Sequence, residues 1–131
     1  MTTALPPYAE LLGLRTEERD GEQVWIMPFA EAVVGRPGYL HGGAIAGLLE
    51  FAALGTVQAA LEDGVSVKPI NVSIDFLRGG TEHDTFAAAT ITRLGGRAAH
   101  VEAHAWQQDR GKPIASARMN LMVRRQQSLR A

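Results

Sequence analysis

The stretch from His41 to Leu61, HGGAIAGLLEFAALGTVQAAL, decides the fold of this chain. Two glycines open it, and the residues that follow favour one long helix over about 42–62, ending near Asp63-Gly64. Apolar residues occur almost all the way round this helix, which predicts burial on most of its faces. A single helix is buried in this way only if a sheet curls around it or a second copy of the chain covers it.

Strand patterns lie on both sides of the helix. Upstream, a short helix at 8–12 precedes strands at 14–19 and 24–29, which flank an Asp20-Gly21 turn, and a loop at 30–40. Downstream, the pattern predicts strands at 71–77, 85–94, 98–108 and 113–124. Tight turns join the last three, so they should form an antiparallel meander. We therefore expect one α+β domain over 1–131, with a frayed polar tail at 126–131.

Composition excludes several classes of protein. The 131 residues carry 13 basic and 14 acidic side chains, which is not the basic footprint of a nucleic-acid-binding protein. The chain has no cysteine, which removes disulfides and thiolate chemistry and is compatible with a reducing compartment, the cytoplasm. The apolar run at 44–61 is long enough to span a membrane, but Glu50 and Gln58 lie inside it and no Lys or Arg flanks it. We interpret it as a core helix.

Glu50 is the only charged residue between Ala44 and Leu61. Burial of an unpaired carboxylate is costly, so one held in an apolar wall beside a cleft is a candidate base or nucleophile. The alternative is a side chain that leaves the helix through a gap and meets water or an arginine.

His41, Gly42 and Gly43 form the second candidate site. A helix N-terminus presents unpaired amides and the positive end of the helix dipole, and glycines let a ligand approach the backbone closely. This arrangement suits the polarisation of a carbonyl group. Read alone, the glycines equally indicate a tight entry into the helix, and His41 could be a helix cap.

The spacing of the two candidates is informative. Gly42 and Glu50 are eight residues apart on one helix, which corresponds to about 12 Å along its axis. A carbonyl-polarising amide and a base must both lie about 3 Å from the reacting group. Two antiparallel helices across a dimer axis would satisfy this condition, because the start of one lies beside the middle of the other. If these residues do chemistry, the site is shared between subunits.

The histidines do not indicate a metal site. His100 and His104 share a face of a predicted strand but are about 13 Å apart by strand rise, which is too far for one ion. We therefore predict no metal site.

The segment from Gly38 to Glu50, GYLHGGAIAGLLE, resembles the signature of the hot-dog-fold thioesterases of the phenylacetate-pathway and 4-hydroxybenzoyl-CoA type. In that signature His-Gly-Gly precedes an acidic residue. The segment 73–78, SIDFLR, is similar to the family's strand that ends in Arg, and the turns at 94–97 and 109–111 also fall where the family has them. The resemblance covers about 8–124.

This resemblance implies a hot-dog fold, in which a curved antiparallel sheet wraps one central helix, and a homodimer or a dimer of dimers. It implies hydrolysis of an acyl-CoA thioester without a cofactor. The Gly42 amide would polarise the thioester carbonyl, His41 would position that region, and Glu50 of the partner subunit would attack or activate water. Arg78 is then a candidate for contact with the CoA phosphates, and Gly43 for close approach of the substrate.

One departure from the family concerns Arg36. Many relatives have Asn or Gln a few residues before the histidine, whereas this chain has Gly35-Arg36-Pro37-Gly38. Arginine cannot accept a hydrogen bond, so Arg36 should instead pair with a carboxylate or a CoA phosphate. Two other functions remain open from the sequence: an acyl-CoA-binding hot-dog module without catalysis, and a hydratase or dehydratase.

Overall fold

The structure is a computed structural model that describes residues 5–125. It contains a short helix α1 and a long helix α2, six strands, and a 3-10 turn at Glu31–Val33. The elements are α1 (Pro7–Leu11), β1 (Arg15–Arg19), β2 (Glu22–Met27), α2 (Gly42–Ala59), β3 (Val65–Phe76), β4 (Thr85–Leu94), β5 (Ala98–Trp106) and β6 (Ala115–Arg125). The predicted tail at 126–131 lies outside the described residues.

The six strands form one sheet in the order β1-β2-β4-β5-β6-β3, and every neighbouring pair is antiparallel. The predicted meander of β4, β5 and β6 is therefore confirmed. The long loop and α2 carry the chain from β2 to the opposite edge, where β3 pairs with β6 alone. The two edge strands of the sheet are therefore β1, which precedes the long loop and α2 in the chain, and β3, which follows them.

Helix α2 packs on one face of this sheet. Its eight buried residues form the core with the inward side chains of the strands; they are Ala44, Ile45, Gly47, Leu48, Leu49, Ala52, Ala53 and Val57. By length and composition alone α2 could cross a membrane, with a mean hydropathy of 1.3. Its apolar residues are used here in packing against the sheet, as expected for a core helix. The prediction of burial on most faces is only partly met, because one side of α2 stays half-open.

Strand β3 is longer than the sequence predicts. It begins at Val65 rather than near Asn71, and its register with β6 shifts between Pro69 and Asn71. The shift inserts one extra residue, Ile70, so the alternation of faces changes phase there. For this reason the alternation of apolar and polar residues does not identify the first half of β3 as part of the same strand. Pro69 is tolerated because β3 is an edge strand.

Other boundaries differ by two or three residues. Helix α2 ends at Ala59 rather than Glu62, β2 begins at Glu22, β5 ends at Trp106 and β6 begins at Ala115. Shifts of this size are typical for element ends, since the last turn of a helix and the last pair of a strand depend on local hydrogen bonds.

A second apolar cluster lies on the outer face of the sheet near β1. Val24, Ile26, Ala88 and Trp106 are buried there. The Arg110 guanidinium lies 4.3 Å from the centre of the Trp106 ring and forms two 2.8 Å hydrogen bonds to Glu22. The Arg110 side chain, held by Glu22, therefore covers part of this apolar cluster.

Candidate active site

The start of α2 is fixed by a histidine cap. His41 is the N-cap residue, and its Nδ1 accepts a hydrogen bond of 2.8 Å from the Gly43 amide. The His41 carbonyl accepts from the amides of Ala44 and Ile45. Because Nδ1 is an acceptor, the neutral ring carries its proton on Nε2, which remains available to a ligand.

One amide of the first helical turn is left over. Gly42 is the first residue of α2, so it has no acceptor one turn earlier in the helix. Its N–H has no partner among the backbone and side-chain hydrogen bonds of residues 5–125. Gly43, by contrast, already uses its amide on His41. The geometry therefore assigns the free donor to Gly42. Gly43, the predicted point of close substrate approach, is not among the cavity walls, and its missing side chain makes room for the His41 ring.

A cavity of about 330 Å³ opens beside Gly42. Its walls combine the loop before α2, the helix start and the segment that follows β3. They are Arg36, Tyr39, Leu40, Gly42, Ile45, Phe76, Leu77, Arg78, Gly79 and Gly80. A Cβ added to Gly42 would lie 3.6 Å from Phe76 Cζ, an ordinary contact distance. Because glycine has no Cβ, a narrow gap remains between the Phe76 ring and the helix.

Backbone hydrogen bonds hold the loop before α2 against the rest of the cavity. The Leu40 amide donates to the Gly80 carbonyl, and the His41 amide donates to the Val33 carbonyl at 2.8 Å. Gly38 has φ +84°, a conformation that favours glycine, at the turn which reverses the chain into Tyr39. The helix start and the segment after β3 are thus held together.

The two predicted cationic residues line this cavity. The Arg36 guanidinium stacks 4.7 Å from the centre of the Tyr39 ring. Arg78 comes two residues after β3 ends, and its Nε donates to the Pro113 carbonyl at 3.1 Å. Neither arginine takes part in the ion pairs found within residues 5–125. Their charges, together with the helix dipole, make this cavity attractive to an anionic group.

Glu50 does not reach this cavity. It is half-buried on the open side of α2, and the ion pairs formed within the described part of the chain do not include it. The helix is continuous from Gly42 to Ala59, so the separation of about 12 Å between Gly42 and Glu50 holds along its axis. One chain therefore does not bring the two predicted groups, Gly42 and Glu50, together.

Sequence reasoning missed the aromatic walls. The sequence pattern places Phe76 in the strand at 71–77 and Tyr39 in the loop at 30–40, and assigns neither of them to a site. Their role depends on the close approach of the segment after β3 to the helix start, which no local pattern encodes. Among residues 5–125 there is no group of three His, Asp or Glu side chains that could hold a metal ion.

The shifted pKa values lie elsewhere, on the outer face. Burial lowers the pKa of His104, and the neighbouring Arg110 guanidinium lowers it further. Arg110 Nε donates to His104 Nε2 at 3.0 Å. The hydrogen bond from Arg110 also holds the pKa of Glu22 below its usual range. This cluster closes the apolar patch near β1 and is not part of the cavity at Gly42.

With this geometry established, comparison with known proteins identifies the family. Residues 37–114 match the family model of the Thioesterase superfamily. The match spans more than half of the chain, so the chain belongs to this superfamily, and thioester hydrolysis is the reaction class that membership supports. A search of the curated proteins finds no significant match.

Solved structures agree with the fold. A Bacillus halodurans protein solved with CoA has a TM-score of 0.86 and 26% identity, covering 94% of this chain and 82% of that one. A Ralstonia eutropha protein related to phenylacetic acid degradation has a TM-score of 0.82 and 26% identity, over 92% of both chains. A mutant thioesterase from Pseudomonas aeruginosa has a TM-score of 0.81 and 27% identity, covering 88% of this chain and 84% of that one. The predicted hot-dog fold is confirmed.

Proposed function

We propose that this protein hydrolyses an acyl-CoA thioester to a free acid and CoA at a site completed by a second copy of the chain. The observation that carries the proposal is the free Gly42 amide at the cavity beside Phe76, with the lone carboxylate Glu50 about 12 Å along the same helix. The neighbour solved with CoA supports this substrate class.

The chemistry follows from the two groups. The Gly42 N–H donates a hydrogen bond to the thioester oxygen, on which negative charge develops, so the carbonyl carbon becomes more electrophilic. The partner subunit's Glu50 then either attacks this carbon or removes a proton from the water that does. The carbon–sulfur bond breaks and CoA leaves as a thiolate. It takes up the proton that Glu50 removed from water on the general-base path, or a proton from solvent water on the nucleophilic path. Where Glu50 acts as nucleophile, water hydrolyses the resulting anhydride in a second step.

The second copy is proposed from the edge at β3. Val72, Ile74 and Phe76 lie on the helix side of the sheet, opposite inward residues of β6, yet Val72 and Phe76 are exposed. An unpaired strand with exposed apolar side chains is a template for pairing with another chain. Pairing of two β3 edges would set the two α2 helices side by side. The exclusion of nucleic acid and membrane, and location in the cytoplasm, stay predictions.

The anionic part of the substrate would occupy the mouth of the cavity. Arg36 and Arg78 flank it without an acidic partner among the described residues, and phosphate oxygens suit guanidinium groups. Arg36 therefore takes over a binding role from the amide side chain found in many relatives, rather than copying its hydrogen-bond acceptor.

The test is thiol release from a panel of acyl-CoAs by the wild type and by two variants. Glu50→Gln should lose about a hundredfold or more of the activity, since the neutral amide is neither base nor nucleophile. Gly42→Pro removes the N–H and should lose a comparable factor, as expected for an oxyanion donor. Proline is acceptable there because position 42 is the first of the helix and His41 is extended, with ψ 132°.

Gly42→Ala is the matched control, because it keeps the N–H and its Cβ makes ordinary contact with Phe76. Mixing the two inactive variants then tests the shared site. Subunit exchange should restore up to about a quarter of the sites, those formed with both native residues, by simple statistics of random pairing. No release by the wild type from any thioester would favour a binding module, and no recovery on mixing would place both groups in one subunit.

A further inference from the structure

Tyr8 of α1 lies against the first two turns of α2, in a notch at Gly47. An added Cβ on Gly47 would lie 2.7 Å from Tyr8 Cε2 and 3.0 Å from Leu12 Cδ1, which is closer than such atoms pack. The notch therefore exists only because position 47 lacks a side chain. The Tyr8 ring continues along the same side of α2 to Phe51, at 6.3 Å between ring centres.

The hydroxyl of Tyr8 reaches the helix start. It donates a hydrogen bond of 3.2 Å to the Gly43 carbonyl. Within the helix the Gly43 carbonyl also faces the amide of Gly47. The Tyr8 hydroxyl therefore donates to the second lone pair of the Gly43 oxygen. The His41 ring holds the peptide unit just before it, through the Gly43 amide. Two side chains from different elements thus hold the two peptide groups of Gly43.

These contacts add to the hydrogen bonds that the His41 carbonyl accepts from the Ala44 and Ile45 amides, on the peptide group that carries the Gly42 N–H. Two consecutive glycines have more accessible conformations than any other pair, and a helix start has few internal hydrogen bonds. A hydrogen-bond donor contributes to catalysis only when it is held in the direction of the developing charge before the reaction. The peptide group that carries the Gly42 N–H is joined directly to the clamped segment.

We propose that Tyr8 is a positioning residue for the Gly42 amide and acts through the Gly43 carbonyl. The inference rests on the proposed function and adds a residue of α1 to that site. It also gives a reason for Gly47, whose missing side chain admits the ring. Because Tyr8 acts on the orientation of a donor that is used most strongly in the transition state, it affects kcat rather than substrate affinity.

The test is steady-state kinetics of Tyr8→Phe on an acyl-CoA that the wild type hydrolyses. The substitution keeps the ring in its notch and removes one hydrogen bond. We expect kcat to fall about threefold to tenfold, in line with the net worth of one hydrogen bond, with KM changed less than about twofold. Leu11→Ala, on an exposed side chain of the same helix α1, is the control and should leave both constants unchanged.

Gly47→Ala supplies an independent arm. Its methyl group should push the ring out of the notch and lower kcat by a similar factor, and Tyr8→Phe should then add nothing in the Gly47→Ala background. An unchanged kcat in Tyr8→Phe, or a higher KM at constant kcat, overturns the inference while the wild-type activity still supports the proposed function. Independent, additive effects of the two substitutions overturn it as well. A wild type without activity would instead refute the proposed function.

Discussion

The two edges of the sheet differ in length, charge and completeness. Strand β1 has five residues, Arg15–Arg19, all exposed and four of them charged. Strand β3 has 12 residues and exposes Ile70, Val72 and Phe76. Short, charged edge strands resist pairing with another chain, whereas long apolar ones invite it. The contrast is the basis for proposing that β3, and not β1, pairs with a second copy of the chain.

The same contrast extends to the groups beside each edge. Near β1, Arg110 covers Trp106 and binds Glu22, so the apolar cluster there is closed. Near β3, the cavity at Gly42 is open and its two arginines have no acidic partner among residues 5–125. The closed apolar cluster thus lies at one end of the sheet, and the proposed chemistry at the other.

The largest expected effect comes from a charge on the open edge. Val72→Asp should dissociate the proposed dimer, because it would leave a carboxylate without a partner in an apolar interface. We expect sedimentation at the monomer mass and a loss of roughly a hundredfold or more in thiol release. Thr16→Asp on β1 is the matched control and should retain both mass and activity. A Val72→Asp protein that remains dimeric and active would refute the assignment of β3 as the interface.

A smaller effect should follow from crowding the closed end. An added Cβ on Gly55 of α2 would lie 2.2 Å from Trp25 Cζ2, on the helix side of β2. Gly55→Ala should therefore lower the free energy of unfolding by about 1–2 kcal/mol, since overpacking outweighs the better helix propensity of alanine. Chemical denaturation measures this. A more stable variant would show that Trp25 moves aside freely and that the closed end is loosely packed.

The smallest expected effect is the pH dependence of the closed end. His104 has a lowered pKa in the folded protein, so as the pH falls below about 6.5 the unfolded chain binds its proton first. The free energy of unfolding should therefore decrease from pH 7 to pH 5. Glu22, whose pKa is also lowered, adds to the loss near and below about pH 4.

The control for this pH dependence is a pair of histidine variants. His104→Gln should flatten the slope between pH 7 and pH 5, because no group at that position titrates. His83→Gln, at an exposed position on the loop before β4, should leave the slope as it is. An unchanged slope in His104→Gln would mean that other groups set the pH dependence of stability.

The sequence by itself determined the element order, the meander and the central helix. Those features depend on local signals: the apolar run from Ala44 to Leu61, strand alternation, and tight turns between the last strands. It also supplied the signature from His41 to Glu50, and with it the family. The first half of β3 escaped because the extra residue at Ile70 changes the phase of the alternation, an effect set by pairing with β6.

Only the tertiary structure decided which amide is free and what surrounds it. A His-Gly-Gly sequence does not reveal that His41 uses its ring on Gly43 and leaves Gly42 as the unpaired donor. Nor does it reveal that two distant aromatic residues meet at the helix start. Phe76 follows Gly42 by 34 residues in the sequence, and Tyr8 precedes it by 34. Periodicity reports which face of an element is apolar, whereas a site depends on which distant segments meet, and that is fixed by packing.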